Sequence, residues 1–126
     1  SHRGPPTFFR ECLEELIPCV QHEAGLRERD KEGYEWRLHL QKRVERGMAS
    51  EAELLGPEIP EALEYLWAWL MELDRLREIG MSGPAPFTPQ MIESWARQKG
   101  VVLTPWEFDA LVDLGLVLLA PPRRTK

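Results

Sequence analysis

The chain has 126 residues, which is enough for one domain with a hydrophobic core. Its 16 basic and 21 acidic residues give a net charge of −5, which disfavours nonspecific attraction to nucleic acid or to an anionic membrane. No apolar run approaches the roughly 18 residues of a membrane span, so no membrane association is predicted.

The two ends of the chain are expected to lie outside the folded part. Residues 1–6 are interpreted as a disordered end, and Ser1-His2 without a methionine as a scar of tag cleavage. Residues 7–120 are expected to form a single helical domain, followed by a basic mobile tail at 121–126 that begins with two prolines.

The first helix is predicted to begin with Thr7 as its capping residue. Apolar residues then recur at helical spacing as far as Ile17. Pro18 is expected to kink or end this helix, because proline lacks the amide proton that a helix interior requires. Residues 24–33 contain six charges and two glycines, and they are interpreted as a solvated connection.

Two further helical segments precede the middle of the chain. An apolar stripe with a spacing of four residues predicts a second helix at 34–46, which Gly47 ends. Ser50 and Glu53 have the spacing of a capping box. This motif predicts one short helical turn as far as Leu55.

The longest helical pattern runs over residues 60–79, and we predict a central helix there. Gly80 is expected to follow it in the left-handed conformation that commonly ends helices. The first half of this segment is apolar nearly all round, so it needs packing partners on more than one side. The residues expected in the core are Leu63, Leu66, Trp67 and Leu70.

Two Thr-Pro pairs, at 88–89 and 104–105, predict the starts of two more helices. Gly100 is expected to end the first, and the second is expected to run to residue 119. No segment shows the alternation that is typical of strands. The predicted fold class is therefore all-α, a small bundle of about five helices around the central helix.

Candidate chemical sites are few. Cys19 and His22 have the spacing of half a metal site, but the sequence has no second Cys/His pair, and a structural zinc needs four ligands. Cys12 would lie about 10 Å from Cys19 on one helix, which is too far for a disulfide and is typical of a reducing setting. Because no phosphate-binding loop or activated nucleophile is present either, we predict no enzymatic activity, no cofactor and no metal.

The last two predicted helices have the outline of a helix-turn-helix. A recognition helix needs cationic or amide side chains near its start. The last helix instead carries Glu107, Asp109 and Asp113 and no cation, so DNA phosphates would repel it. An ordinary helical hairpin is the better interpretation, and no nucleic-acid partner is predicted.

The sequence contains five tryptophans, most of which are expected in the core because each buries a large area. Trp67 and Trp69 point about 200° apart around one helix. One of them, or Trp106 at a helix start, is therefore a candidate partner contact. The alternative is a core that wraps both sides of the central helix.

Several segments, in this order, resemble the tail assembly chaperones of long-tailed bacteriophages or their downstream extension domains. The resemblance covers about residues 33–120, and the segments that carry it are GYEWRLHL (33–40), PEIP (57–60), LWAWLMEL (66–73), GPAP (83–86), IESWA (92–96) and PWE (105–107). It implies a helical protein without enzymatic activity in the host cytoplasm. It also implies binding of the tape measure protein, with assistance in bringing tail tube subunits to it.

This resemblance suggests an exposed apolar surface for an amphipathic helix of the partner. The candidate partner-binding residues are expected to border the solvent edge of the central helix and the proline-rich loop after it; they are Trp69, Met81, Phe87 and Trp106. Self-association is left open. The alternative functions are a structural tail or head–tail joining protein that stays in the virion and, with less support, a small helix-turn-helix regulator.

Overall fold

The computed structural model describes residues 4–120. The predicted tag scar and the basic tail, with the prolines at 121–122, lie outside these residues. The described part confirms the all-α class, since strands contribute only one short pair. Its helices are α1 (Thr7–Leu26), α2 (Trp36–Glu45), α3 (Glu51–Leu55), α4 (Glu64–Arg75), α5 (Pro89–Lys99) and α6 (Pro105–Leu119).

Of the two outcomes predicted at Pro18, a kink or an end, the helix does not end there, and it continues to Leu26. An interior proline costs about 3 kcal/mol. The turns after it bury Val20 and Leu26, and each such side chain contributes roughly 1.5–3 kcal/mol, which offsets that cost. The solvated connection predicted at 24–33 was therefore wrong over its first residues. Thr7 is also the first helical residue rather than the capping residue.

The next two helices match their predictions closely. α2 begins two residues later than predicted and ends one residue earlier, and it is followed by Gly47 with a φ of 74°. The capping box before α3 is present. The Ser50 hydroxyl accepts from the amide of Glu53, and the Glu53 carboxylate accepts from the amide of Ser50.

The central helix is shorter than the predicted 60–79 segment. A 3₁₀ turn at Glu61–Leu63 leads into α4, which ends at Arg75. Leu63, Leu66 and Leu70 are fully buried as predicted. Trp67 packs against the core but is only partly buried, so the prediction that it is a buried core residue was wrong.

Two short antiparallel strands replace the expected end of that helix. β1 (Ile79–Gly80) pairs with β2 (Gly83–Pro84), and Met81 and Ser82 form the turn between them. Gly80 therefore lies in a strand and does not adopt the left-handed conformation that we predicted. The strands were missed because two residues are too few to show an alternating pattern.

The last two helices begin and end as their local chemistry predicts. The Thr88 hydroxyl accepts from the amide of Met91 at the start of α5. Gly100 ends this helix in the left-handed conformation, with a φ of 69°. Thr104 and Glu107 form the second capping box at the start of α6.

The core lies where α1, α4, α5 and α6 meet. α6 packs against both α1 and α4, so the central position is shared between α4 and α6. The fully buried side chains include Leu16 and Val20 of α1, three leucines of α4, Ile92 of α5 and Leu111 of α6. This arrangement places the start of α1 beside the start of α6, which determines the surface described next.

Candidate partner-binding surface

The four predicted binding residues do not lie in one patch. Trp69 of α4 and Trp106 of α6 are partly buried at the edge of the core. Met81 is fully exposed in the turn between the two strands. Phe87 is only 7% exposed, so the expectation that it lies at the solvent edge is wrong. Its ring lies under the Arg77 guanidinium, whose central carbon is 4.1 Å from the ring centroid.

Aromatic side chains from three helices form two groups of contacting rings, which together we call the aromatic band. It consists of Phe8, Phe9, Trp106, Tyr65 and Trp69. Phe8 and Phe9 make an edge contact with 5.4 Å between centroids, and Phe9 stacks on Trp106 at 5.5 Å. Tyr65 and Trp69 make a second edge contact at 4.9 Å. Phe8 is 60% exposed and the other four rings are partly exposed.

The two halves of the band are joined by a hydrogen bond between α4 and α6. The Tyr65 hydroxyl donates to Oε2 of Glu107 at 2.6 Å. Oε1 of the same carboxylate accepts from the amide of Thr104 at 2.9 Å, as part of the capping box. Burial and, next, the bond to Glu107 raise the pKa of Tyr65 above its ordinary value, so this phenol stays neutral. The capping box of α6 thus also positions a residue of α4.

The buried ring of Trp95 packs against the inner side of the band at Trp69. It is 5% exposed, and its ring makes an edge contact with Trp69 at 5.7 Å. Its indole nitrogen donates to Glu72 Oε1 at 3.3 Å, and Lys99 forms an ion pair with the same oxygen at 3.0 Å. The hydrogen bonds from Lys99 and Trp95 lower the pKa of Glu72. Trp69 therefore packs against a ring that is itself held by a hydrogen bond to Glu72.

Arg77 anchors the exposed strand pair to the core. Its side chain is 2% exposed, its Nε donates to Asp74 at 2.6 Å, and its terminal nitrogens donate to two backbone carbonyls. These carbonyls belong to Ala85, at 2.9 Å, and to Gly115 of α6, at 2.6 Å. The segment therefore projects Ile79 and Met81, which are 73% and 108% exposed, from a base that these hydrogen bonds hold.

Sequence reasoning missed Phe8, Phe9 and Tyr65 as surface residues. The adjacent phenylalanines were available as a signal, because two neighbouring positions of a helix cannot both face the core. Nothing local could show that Phe9 stacks on Trp106, since the contact joins residues almost a hundred positions apart.

The residues considered for metal binding do not converge. The Cys19 thiol lies 3.6 and 3.5 Å from the carbonyl oxygens of Pro57 and Glu58, and burial raises its pKa. His22 instead bonds to the carbonyl of Glu53 at 2.8 Å. Within residues 4–120, no group of three His, Cys, Asp or Glu side chains is arranged to hold a metal ion. No helix in this range is both long and apolar enough to cross a membrane.

Comparison with protein families confirms the resemblance seen in the sequence. The family model of the phage tail assembly chaperones matches residues 40–114, more than half of the chain. The matched region includes Tyr65, Trp69 and Trp106, whereas Phe8 and Phe9 precede it. No curated protein and no solved structure shows significant similarity. Because the match extends over more than half of the chain, the chain belongs to the phage tail assembly chaperone family.

Proposed function

We propose that this chain binds an amphipathic helical segment of the tape measure protein in the host cytoplasm, and that it thereby assists assembly of the tail tube. The proposal is supported by membership in the tail assembly chaperone family. The observation that carries it is the aromatic band, in which five rings remain partly or largely exposed.

The chemistry of the band suits the apolar face of a helix. Large aromatic rings offer much contact area and lose little conformational freedom on binding. The rings of Phe9, Trp106 and Trp69 are already held by their neighbours, so binding does not have to order them. Apolar side chains at helical spacing on the partner would pack across the band, as in other helix-in-groove complexes.

Co-expression with the tape measure protein of the same phage tests this proposal. We expect the tape measure protein to be more soluble in the presence of the chain, and the two proteins to elute together on gel filtration. Phe8→Ala combined with Trp69→Ala should reduce both effects. The matched control is Leu55→Ala, which removes a 71% exposed side chain on α3, away from the band.

Two results would count against the proposal. One is a tape measure protein that is equally insoluble with and without the chain. The other is a complex that forms equally well with the band variant and with Leu55→Ala. The presence of the chain in purified particles would then indicate a structural tail or joining protein.

A further inference from the structure

A second concave surface has a chemistry different from that of the aromatic band. It is a cleft of about 450 Å³ between the loop at 27–35 and α2, within the size range of ligand-binding clefts. Tyr34 and Trp36 contribute aromatic surface to its lining. Lys42, Arg43 and Arg46 contribute three positive charges, in a chain whose net charge is −5.

The three cations of this cleft have no acidic partner within the described part of the chain. None of them forms an ion pair there, whereas Arg27, Arg37 and Arg77 all do. All three side chains are exposed, so their charges are available to a partner. An acidic protein that keeps three unpaired cations around one cleft has a local charge opposite to its net charge.

The two carboxylates that line the same cleft, Asp30 and Glu28, offset part of this positive charge and leave it formally positive. Asp30 accepts from His39 Nε2 at 2.6 Å and from the amide of Tyr34 at 2.9 Å. The backbone bond from Tyr34 and then the bond to His39 lower its pKa. These hydrogen bonds hold the loop against α2, and the carboxylate keeps its negative charge. Glu28, the other carboxylate of the lining, is partly buried.

Cations at the end of a helix often need no functional explanation. They complement the carbonyl end of the helix dipole, as Arg97 and Lys99 do in α5. The same effect accounts for Lys42 and Arg43 in the last turn of α2. It does not account for their position around a cleft with two aromatic rings.

We propose that this cleft binds an acidic segment of a protein partner, in which Asp or Glu alternates with apolar residues. The carboxylates would pair with Lys42, Arg43 and Arg46, and an apolar side chain would pack against Tyr34 and Trp36. Nucleic acid fits less well, because its phosphate backbone would continue beyond the cleft over a chain whose net charge is −5.

The cleft and the aromatic band lie at opposite ends of α1. Phe8 lies in its first turn and Glu28 follows its last, and a helix of 20 residues is about 30 Å long. One partner on the band therefore leaves the cleft open to a second. The inference goes beyond the proposed function and does not depend on it.

The test is fluorescence anisotropy of the full chain with a labelled peptide in which Glu alternates with Phe. The variant carries Lys42→Gln, Arg43→Gln and Arg46→Gln. We expect it to bind the peptide about tenfold more weakly, equivalent to about 1.4 kcal/mol. The matched control removes three exposed arginines elsewhere, Arg10→Gln, Arg75→Gln and Arg97→Gln, and should change the affinity less than about twofold.

Three further measurements separate binding at the cleft from unfolding, from binding without charge and from binding at the aromatic band. If circular dichroism shows that the triple cleft variant is unfolded, Arg46→Gln alone replaces it, because Arg46 follows the last residue of α2. A peptide with Gln in place of Glu should bind at least about tenfold more weakly than the acidic one, which is again about 1.4 kcal/mol. Phe8→Ala should leave the peptide affinity unchanged, which separates this site from the band.

Three outcomes would overturn the inference. The first is that the acidic peptide does not bind the native chain, and the second is that the Glu and Gln peptides bind with equal affinity. The third is an equal loss of peptide affinity in the cleft variant and in the arginine control. A single-stranded oligonucleotide that binds more tightly than the peptide, and loses affinity in the cleft variant, would identify the cleft as a polyphosphate site instead.

Discussion

Tyr65 of α4 and Glu107 of α6 are joined by a hydrogen bond of 2.6 Å, although 42 residues separate them in the chain. Glu107 is itself held by the capping box at the start of α6. A local helix-start motif and a long-range contact therefore share one carboxylate. Through this contact, the start of α6 determines how Tyr65 and Trp106 are presented in the aromatic band.

Removal of this hydrogen bond should destabilise the fold. Tyr65→Phe leaves Oε2 of the buried Glu107 without its donor, and we expect a loss of about 1–2 kcal/mol in the free energy of unfolding. Denaturant titration measures the loss. The control is Tyr34→Phe, since that ring is 54% exposed and its hydroxyl should contribute less than about 0.5 kcal/mol. Equal losses in the two variants would show that the bond to Glu107 contributes nothing specific.

Gly115 should not tolerate a methyl group, although it lies inside a helix. A Cβ atom there would approach two ring carbons of Phe87 to 2.6 Å. Because Arg77 covers that ring, we expect Gly115→Ala to destabilise the protein by about 1–3 kcal/mol, as overpacking does. Gly25→Ala in α1 is the control: its Cβ meets nothing within 4 Å, so it should stabilise by up to about 1 kcal/mol. Stabilisation by both substitutions would contradict this prediction.

Arg77 should be required for the exposed strand pair. Arg77→Met removes the donors to Ala85 and Gly115, and we expect a loss of about 3 kcal/mol. Hydrogen exchange should also become faster at the amide of Ala85, which donates to the carbonyl of Glu78 at 2.8 Å. Arg75→Met removes a neighbouring exposed arginine and should leave this amide protected. If the Ala85 amide exchanges at the same rate in Arg77→Met as in the native chain, the strand pair is stable without Arg77.

Because of Asp74, the free energy of unfolding should depend on pH in the acid range. Burial alone would raise its pKa, but the hydrogen bonds from Arg77 and Arg27 outweigh burial and lower the pKa below 3.8. Because the folded pKa is depressed, the stabilisation is complete above about pH 5 and is lost as the pH falls through that lowered value. Asp74→Asn should cost about 2 kcal/mol at neutral pH and progressively less in acid. A difference from the native chain that does not change between pH 7 and 2 would contradict the assignment.

Phe8 should contribute to partner binding but not to stability. Its ring is 60% exposed, so Phe8→Ala should change the free energy of unfolding by less than about 0.5 kcal/mol. Binding to a tape measure segment should weaken by about 1–3 kcal/mol, as at an interface anchor. Isothermal titration calorimetry measures this change, and Leu55→Ala supplies an exposed apolar control outside the band. A weakening that is equal in the two variants would exclude the band as the binding surface.

The candidate site could be predicted from the sequence only in part. The sequence indicated Trp69 and Trp106 as candidate contacts, because Trp67 and Trp69 point about 200° apart around one helix and Trp106 lies at a helix start. Phe87 shows the limit of this reasoning. Its loop position suggested exposure, but Arg77 and Gly115 bury it from two sides, and neither residue lies near it in the chain.

The sequence by itself determined the helix starts at Ser50, Thr88 and Thr104, together with the all-α class. Each cap depends on hydrogen bonds between groups three residues apart, so the necessary chemistry is local. Only the tertiary structure decided that α1 continues past Pro18, because burial against distant helices offsets the lost backbone bond. It also assembled the aromatic band, since packing of α1 and α4 on α6 brings together side chains that no local pattern connects.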